Sequence, residues 1–208
     1  MAEKADIFDK TYDHYIKKIR ALDFAAIAGN LGVKTDGDTV TIPFFNTPYR
    51  VTPQGVTTPD GKPAAFGVGV VLCNYLIQCP RHRPKDDDWA SYRDFKDAAP
   101  LVGTFANTAE RPIAANFSGR LPELEKAGRI LGGIEPAITF PYDLNLLIQA
   151  LPRIPILLLF NDADDEFPAD CKLLFEKRTE SYLDMECVAI IGMLLSEFLK
   201  RCGAAQPK

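Results

Sequence analysis

The feature that most constrains the fold is an apolar run enclosed by prolines and carboxylates, within residues 150–168. The run follows Pro152 and Pro155. Four carboxylates come after it, and we call this segment the acidic turn: Asp162, Asp164, Asp165 and Glu166. An apolar run this short, bounded by Pro and Asn/Asp, predicts a central β-strand rather than a helix. Because proline cannot donate to a sheet ladder, Pro155 is expected at the first position of the strand. The carboxylates cannot enter an apolar core, so the chain must reach the surface at Asp162.

The last third of the chain contains further strand candidates and a closing helix. The strand candidates are residues 137–140, 144–151, 154–160 and 171–175. The acidic turn would join the last two as a hairpin, and residues 176–178 have the composition of an exposed strand end. A final helix is predicted from about residue 185 to residue 201, with Asp184 as its N-cap. Apolar residues at helical spacing predict its buried side: Val188, Ile191, Leu195 and Phe198.

The first part of the chain predicts a helix and then a small β meander. Residues 5–28 carry apolar side chains at helical spacing, on the stripe Phe8, Tyr12, Tyr15, Ile19 and Leu22. Gly29 and Gly32 are expected to end this helix. Alternation in residues 39–44 predicts a half-buried strand. Turn sequences after it place two short return strands before residue 59.

Residues 64–79 predict a mostly buried helix, in which Gly67 and Gly69 allow another element to approach closely. These glycines suggest the start of a dinucleotide-binding loop. Leu72 stands where the third glycine would be, and no strand clearly leads into the segment. We therefore expect no dinucleotide site here.

The remaining elements complete one α+β domain over residues 1–208. Residues 80–88 form a polar loop that changes from basic to acidic. Residues 101–117 and 121–131 predict two more helices, and Pro112 predicts a kink or a break in the first. The expected order is an N-terminal helix, an antiparallel meander, central helices, C-terminal antiparallel strands and a closing helix. Whether the strands form one sheet or two is left open.

Charge and cysteine content exclude several classes of protein. A net charge of -4 and a pI near 5.3 argue against a general nucleic-acid binder, which needs a basic surface. Five cysteines without a Cys-x-x-Cys pair are not a disulfide framework, and they indicate reduced thiols. The first residues lack a signal-peptide pattern, and no apolar run approaches the roughly 20 residues that span a bilayer. We therefore expect a cytoplasmic protein without a membrane partner.

The C-terminal segments resemble the closing motif of an uncharacterised prokaryotic family, the domain of unknown function numbered 3786. The motif includes Leu-Pro-Arg-Ile-Pro at residues 151–155, the strand after it, and Asp-Glu-Phe-Pro at residues 165–168. Other segments also resemble the family: Leu173 to Phe175, Tyr182-Leu183, Tyr75-Leu76, Trp89 to Arg93 and Leu131 to Gly133. The resemblance covers most of the chain.

This resemblance implies a protein of anaerobic bacteria or archaea, and it provides no established catalytic residues to transfer. Some relatives carry an added iron–sulfur cysteine module, which this chain lacks. Relatives often have a tryptophan and a glycine just before the acidic pair, where this chain has Phe160 and Asp164. A role that depends on that tryptophan is therefore not implied here.

The acidic turn is the strongest candidate for a functional site. Its carboxylates repel one another unless a positive group is near, and Mg²⁺ or Ca²⁺ takes oxygen ligands of this kind. The spacing does not match a Ca²⁺-binding loop. Three interpretations stay open. The turn is a solvated hairpin, with or without pairing to Arg153, Arg178 or Arg93; it binds a metal or a cationic ligand; or it performs acid–base catalysis. The metal-ligand candidates are Asp162, Asp164, Asp165 and Glu166.

Cys79 and His82 form a second candidate, because their spacing is one that zinc accepts and Cys73 is near in sequence. A closed zinc site needs four ligands, and His14 is the only other histidine. Free cysteines are often buried apolar residues, and no third group marks a Cys–His nucleophile pair. The sequence predicts no firm metal site and specifies no cofactor.

The aromatic segment Trp89, Tyr92 and Phe95, with Arg93 inside it, either lines a ligand pocket or covers the core. The ligand-binding candidates are Asp165, Glu166, Arg93, Tyr92 and Trp89.

Common catalytic signatures are missing, which favours a cytoplasmic accessory or small-ligand-binding protein of an anaerobic prokaryote. One alternative is an enzyme whose site joins Asp165 and Glu166 to Arg93 and Tyr92, with a divalent cation as an optional component. Another is a protein-interaction module that uses residues 80–88. The expected partner is a small molecule or a protein. The sequence does not specify the oligomeric state.

Overall fold

The computed structural model describes residues 12–204, and its elements confirm the α+β class. The first described helix, α1, covers residues 12–19. The other helices are α2 (Phe24–Leu31), α3 (Phe66–Ile77), α4 (Val102–Phe105), α5 (Arg111–Phe117), α6 (Leu121–Ile130) and α7 (Met185–Ala204). The strands are β1 (Lys34–Asp36), β2 (Thr39–Phe44), β3 (Thr47–Thr52), β4 (Gly55–Thr57), β5 (Trp89–Ser91), β6 (Leu144–Leu151), β7 (Ile154–Asn161) and β8 (Asp170–Glu176).

The first sheet is the predicted meander with one strand added at its edge. Its order is β1-β2-β3-β4, and each strand is antiparallel to the next. Val40, Ile42 and Phe44 are fully buried, as the alternation predicts. Strand β1 was not predicted, because its residues are all exposed and show no apolar alternation.

The second sheet has the order β5-β8-β7-β6, and the acidic turn joins β7 to β8 as the predicted hairpin. Strand β7 is buried over nearly its whole length, as expected for a central strand. Pro155 is its second residue. The pairing with β8 begins one residue later, at Ile156 opposite Phe175, so the missing N–H costs no ladder bond on that side. The two sheets are separate, and the Phe45 N–H donates to the Ala150 carbonyl between them, at 3.0 Å.

Helix α7 packs against α3, α4, α5 and α6 and is the centre of the helical layer. Asp184 caps it as predicted, because its Oδ1 accepts a hydrogen bond from the Cys187 N–H at 2.7 Å. Val188, Ile191 and Leu195 are fully buried. At Gly192, an added Cβ would lie 2.5 Å from the Phe105 ring, so glycine permits the close approach of α7 to α4.

The predicted helix 101–117 is present but irregular. A 3₁₀ turn (Ala99–Leu101) leads into α4, and a π-helical turn (Ala106–Glu110) separates α4 from α5. The Arg111 N–H donates to the Ala106 carbonyl, five residues back. The irregularity therefore ends just before Pro112, near the kink that this proline predicts.

The predicted N-terminal helix is wrong in extent. The predicted helix 5–28 is interrupted, because Asp23 accepts a hydrogen bond from the Ala26 N–H and caps the separate helix α2. Leu22 lies in the connection rather than on a continuous stripe. Phe8 lies outside the described residues. Gly32 ends α2 with φ of 70°, as expected for a glycine that closes a helix.

Two further predictions are wrong for local reasons. Residues 137–140 form no strand, because the Asn145 side chain bonds both the N–H and the carbonyl of Phe140. Residues 176–178 are not an exposed strand end. Glu176 is only 8% exposed and forms an ion pair with Arg178. Within residues 12–204, no helix is long and apolar enough to cross a membrane.

Candidate functional site

Two carboxylates of the acidic turn, Asp162 and Asp164, are bonded to backbone N–H groups. Asp164 Oδ1 accepts hydrogen bonds from the N–H groups of Glu166 and Phe167, at 2.8 and 2.7 Å. These bonds lower the pKa of Asp164. Asp162 Oδ1 accepts from the N–H groups of Gly119 and Ala163, at 2.6 and 2.8 Å. The turn therefore relieves its charge through backbone donors, which a carboxylate at a turn commonly does.

The candidate residues of the acidic turn do not meet in one place. Asp162 and Asp164 line a cleft of about 550 Å³ together with Asp143 and Asp170. Asp165 and Glu166 are exposed and are not among the residues that line this cleft. Among the described residues, no group of three or more His, Cys, Asp or Glu side chains could hold a metal ion.

The arginines considered as partners of the acidic turn have other contacts. Arg153 donates to the Gly29 and Asn30 carbonyls at the end of α2. Arg178 pairs with Glu176 at the far end of β8. The closure of the turn thus depends on backbone N–H groups rather than on these two side chains.

Tyr92 belongs to the core. It is 3% exposed, its ring stacks on Phe105 at 4.3 Å, and its hydroxyl donates to the Met185 carbonyl at 2.7 Å. Burial raises the pKa of Tyr92 to about 12. Trp89 is half-buried on β5, opposite Glu176, and Phe95 is 6% exposed. The aromatic segment therefore mainly covers the core.

The cysteine and histidine candidates, Cys73, Cys79 and His82, lie in three different environments. Cys73 is buried inside α3, and burial raises the pKa of its thiol to about 12. Cys79 is half-buried beside the Ile27 carbonyl, and His82 is exposed in the loop. A thiol with a raised pKa is a poor nucleophile and a poor metal ligand.

Arg93 lines a different cleft, of about 540 Å³, between the π-helical turn, α5 and the start of β8. We call it the Glu110 cleft. Its charged residues are Arg93, Glu110, Arg111, Asp170 and Lys172. Its other walls are formed by Ala106, Ala114, Ala115, Ser118, Pro168, Ala169 and Cys171. The cleft thus combines three cations and two carboxylates with walls of mostly small, apolar residues.

Glu110 is the half-buried carboxylate of this cleft. Its Oε1 accepts a hydrogen bond from the Leu173 N–H of β8, at 3.1 Å. Burial raises the pKa of Glu110, and the bond from Leu173 and the charges of Lys172 and Arg93 oppose this shift only in part. A cleft carboxyl with a raised pKa is typical of functional sites, and so is a π-helical turn.

The cations of the cleft make few and weak contacts with other protein groups. Arg111 Nη1 donates to Asn107 Oδ1 at 2.6 Å. Lys172 lies 3.3 Å from Asp170, and both side chains are about half exposed, so this pair is weak. Arg93 is exposed at the rim, where its charge acts on Glu110. The three side chains can therefore turn toward a bound anion without breaking a buried ion pair.

A family model described as Domain of unknown function (DUF3786) matches residues 23–198. The chain belongs to this family. The resemblance noted in the sequence is thereby confirmed. No curated protein and no solved structure matches the chain.

In this DUF3786 chain, sequence reasoning found Arg93 but missed Glu110, Arg111 and Lys172. Glu110 and Arg111 lay inside a predicted helix, where a charged pair normally indicates a solvated face. The available signal was Pro112, because a proline inside a helix marks the place where backbone bonding changes. Lys172 lay within a strand candidate, and only the tertiary fold brings it to Glu110.

Proposed function

We propose that the chain is a binding protein for a small ligand with an anionic group, held in the Glu110 cleft. The observation that supports this most is the grouping of Arg93, Arg111 and Lys172 around one half-buried carboxyl. Cleft volumes near 540 Å³ are within the range of small-molecule sites. Guanidinium groups suit carboxylate or phosphate oxygens, which they can bind through two hydrogen bonds.

The raised pKa of Glu110 supports an anionic ligand rather than a cationic one. A carboxyl that takes up a proton more readily than usual can lose its negative charge when an anion binds beside it. The remaining carboxylate, Asp170, already has Lys172 as a neighbour. We infer that binding strengthens as Glu110 becomes protonated.

The biological setting of the proposal is a cytoplasmic accessory protein of an anaerobic prokaryote. It is supported by the five free cysteines, three of them buried, because unpaired thiols persist in reducing compartments. The family resemblance supports the anaerobic origin. The net charge of -4 supports a partner other than nucleic acid.

Acid–base catalysis by Glu110 in the same cleft is a second candidate function. It is favoured by one observation, namely that burial raises the pKa of this carboxyl in an open cleft. This candidate replaces the earlier enzyme hypothesis around Asp165 and Glu166, since both of these side chains are exposed.

The test is calorimetric titration with succinate and with phosphate, preceded by native mass spectrometry of protein purified anaerobically. We expect a small anion to bind. Arg93→Gln and Arg111→Gln should each weaken binding about tenfold or more, as for lost charge-assisted hydrogen bonds.

Two control variants separate the cleft from other charged regions. Arg50→Gln removes an exposed charge on β3 of the other sheet, and it should change affinity by less than about twofold because distant exposed charges are screened. Asp165→Asn with Glu166→Gln should also leave affinity unchanged. The proposal is wrong if neither anion binds and no small molecule copurifies, or if the acidic-turn variant alone loses binding.

A further inference from the structure

Strand β8 has an outer edge that its neighbour covers only in part. Strand β5 pairs with Leu174, Phe175 and Glu176, and its chain then leaves the sheet at Tyr92. The first half of β8, residues 170–173, pairs with β7 on its other side. Its outer edge faces the Glu110 cleft, because Asp170, Cys171 and Lys172 line that cleft.

The ladder geometry shows which backbone groups point into the cleft. The Leu173 N–H points away from β7, since it donates to Glu110. In an antiparallel strand, residues two apart direct their N–H and carbonyl groups to the same side. The N–H and carbonyl of Cys171 therefore also point into the cleft, although its side chain is only 1% exposed and packs in the core.

Glu110 takes the position that a strand carbonyl would occupy. Its Oε1 lies 3.1 Å from the Leu173 nitrogen, which is within the range of a ladder hydrogen bond. A side chain that covers an edge N–H protects the sheet from uncontrolled pairing. It can also be displaced, because a proton on Glu110 weakens this acceptor and burial favours that proton.

We propose that the ligand of the Glu110 cleft is an extended acidic peptide, which pairs with residues 171–173 of β8 as a short added strand. This inference rests on the proposed function and names the ligand class of the same site. A carbonyl of the peptide takes the Leu173 N–H from Glu110. Its acidic side chains, or a terminal carboxylate, meet Arg93, Arg111 and Lys172. Backbone bonds supply affinity and the cations supply selectivity, as in other cases of strand addition.

The test uses three peptides of one sequence. The parent is an acetylated, amidated peptide of alternating Glu and Val. Each of the two variants carries a single N-methyl group, and the methylated residue of one variant is the sequence neighbour of the methylated residue in the other. An added strand directs alternate N–H groups to its partner. One N-methyl version should therefore bind about tenfold more weakly or worse, and the other should bind nearly as well as the parent. Succinate serves as a small anion without a backbone.

Hydrogen exchange provides a second readout on the same samples. Bound peptide should slow exchange at Cys171, and succinate should not. If succinate binds but the peptide does not, or if both N-methyl versions equal the parent, the strand-addition inference is wrong and the small-anion proposal stands. If neither the peptide nor the small anions bind, both proposals are wrong.

Discussion

The acidic turn and the Glu110 cleft both adjoin the first residues of β8, but their carboxyl groups meet opposite conditions. Asp164 receives two backbone N–H groups, which lower its pKa, and it is exposed. Glu110 receives one, and burial raises its pKa. Two of the four acidic residues, Asp162 and Asp164, are thus bonded to backbone N–H groups, whereas Glu110, inside a helical segment, has a raised pKa.

This difference shows what clustering in a sequence can reveal. Neighbouring carboxylates in a short loop can each bond to the backbone of that loop, so their density indicates a turn as readily as a site. The Glu110 environment is made by α4 and α5, which flank its turn in the sequence, and by α7 and β8, which are far from it in the sequence. Which charged groups surround Glu110 can be determined only from the packed structure.

The largest effect should come from the packing that fixes the π-helical turn. In Gly192→Ala, the new Cβ would lie 2.5 Å from the Phe105 ring and 3.1 Å from the Ala109 Cβ. Phe105 directly precedes the π-helical turn that presents Glu110, and Ala109 is part of that turn. Overpacking of this kind should lower the free energy of unfolding by about 1–3 kcal/mol, measured by urea denaturation. Succinate affinity should fall with it.

Gly103→Ala is the matched control for this substitution. Gly103 is in α4, and its Cβ would meet nothing within 4 Å. Alanine there should be neutral or stabilise the helix by up to about 1 kcal/mol. Equal losses from both variants would show that the contact between α7 and α4 does not determine the shape of the cleft.

The secondary structure that follows from local patterns was predictable from the sequence. The strand at Ile154–Asn161 and the N-cap at Asp184 each depend on residues adjacent in the chain, and both are confirmed. The helix break at Asp23 was missed because the apolar stripe reached Leu22, directly before it, and no glycine or proline followed until Gly29. An aspartate that caps a second helix cannot be distinguished by residue type from an ordinary surface aspartate.

The candidate site was less predictable, for a physical reason. Arg93 was found because it lies among aromatics, but its partners come from a helical turn and from a strand. Lys172 was expected as an ordinary strand residue, and its proximity to Glu110 depends on how β8 packs against the π-helical turn. The spacing of residues in the sequence does not indicate such a contact.

A smaller effect is expected in the acidic turn, and it should concern stability alone. Asp162→Ala removes the acceptor of the Gly119 and Ala163 N–H groups. The loss of two such bonds at a partly exposed site should lower the free energy of unfolding by about 1–2 kcal/mol. Asp165→Ala, at an exposed position of the same turn, should change it by less than about 0.5 kcal/mol. Neither variant should alter succinate affinity, and a loss of affinity in either would place the ligand at the turn.

The smallest effect is the pH dependence of stability that Glu110 contributes. Burial raises its pKa above the ordinary 4.5, so the folded chain holds this proton more tightly than the unfolded chain. Between the ordinary and the raised pKa, the free energy of unfolding therefore decreases as pH rises. Glu110→Gln keeps an acceptor for the Leu173 N–H and removes the charge. It should stabilise the fold at neutral pH, and this advantage should vanish below the ordinary pKa, where the wild-type carboxyl is protonated as well.

Glu125→Gln is the control for this profile, because the Glu125 side chain is 45% exposed and pairs with Arg129 on α6. It should give no gain in stability at neutral pH. Sulfate, whose charge does not change over this pH range, provides the second readout: in the wild type its affinity should rise as pH falls through the titration of Glu110, and in Glu110→Gln it should be high at both ends. A difference between wild type and Glu110→Gln that stays constant with pH would mean that the carboxyl is not desolvated. Glu110 would then differ from the carboxylates of the acidic turn in position only. No protonation of Glu110 would then favour the binding of an anion to the cations of the cleft.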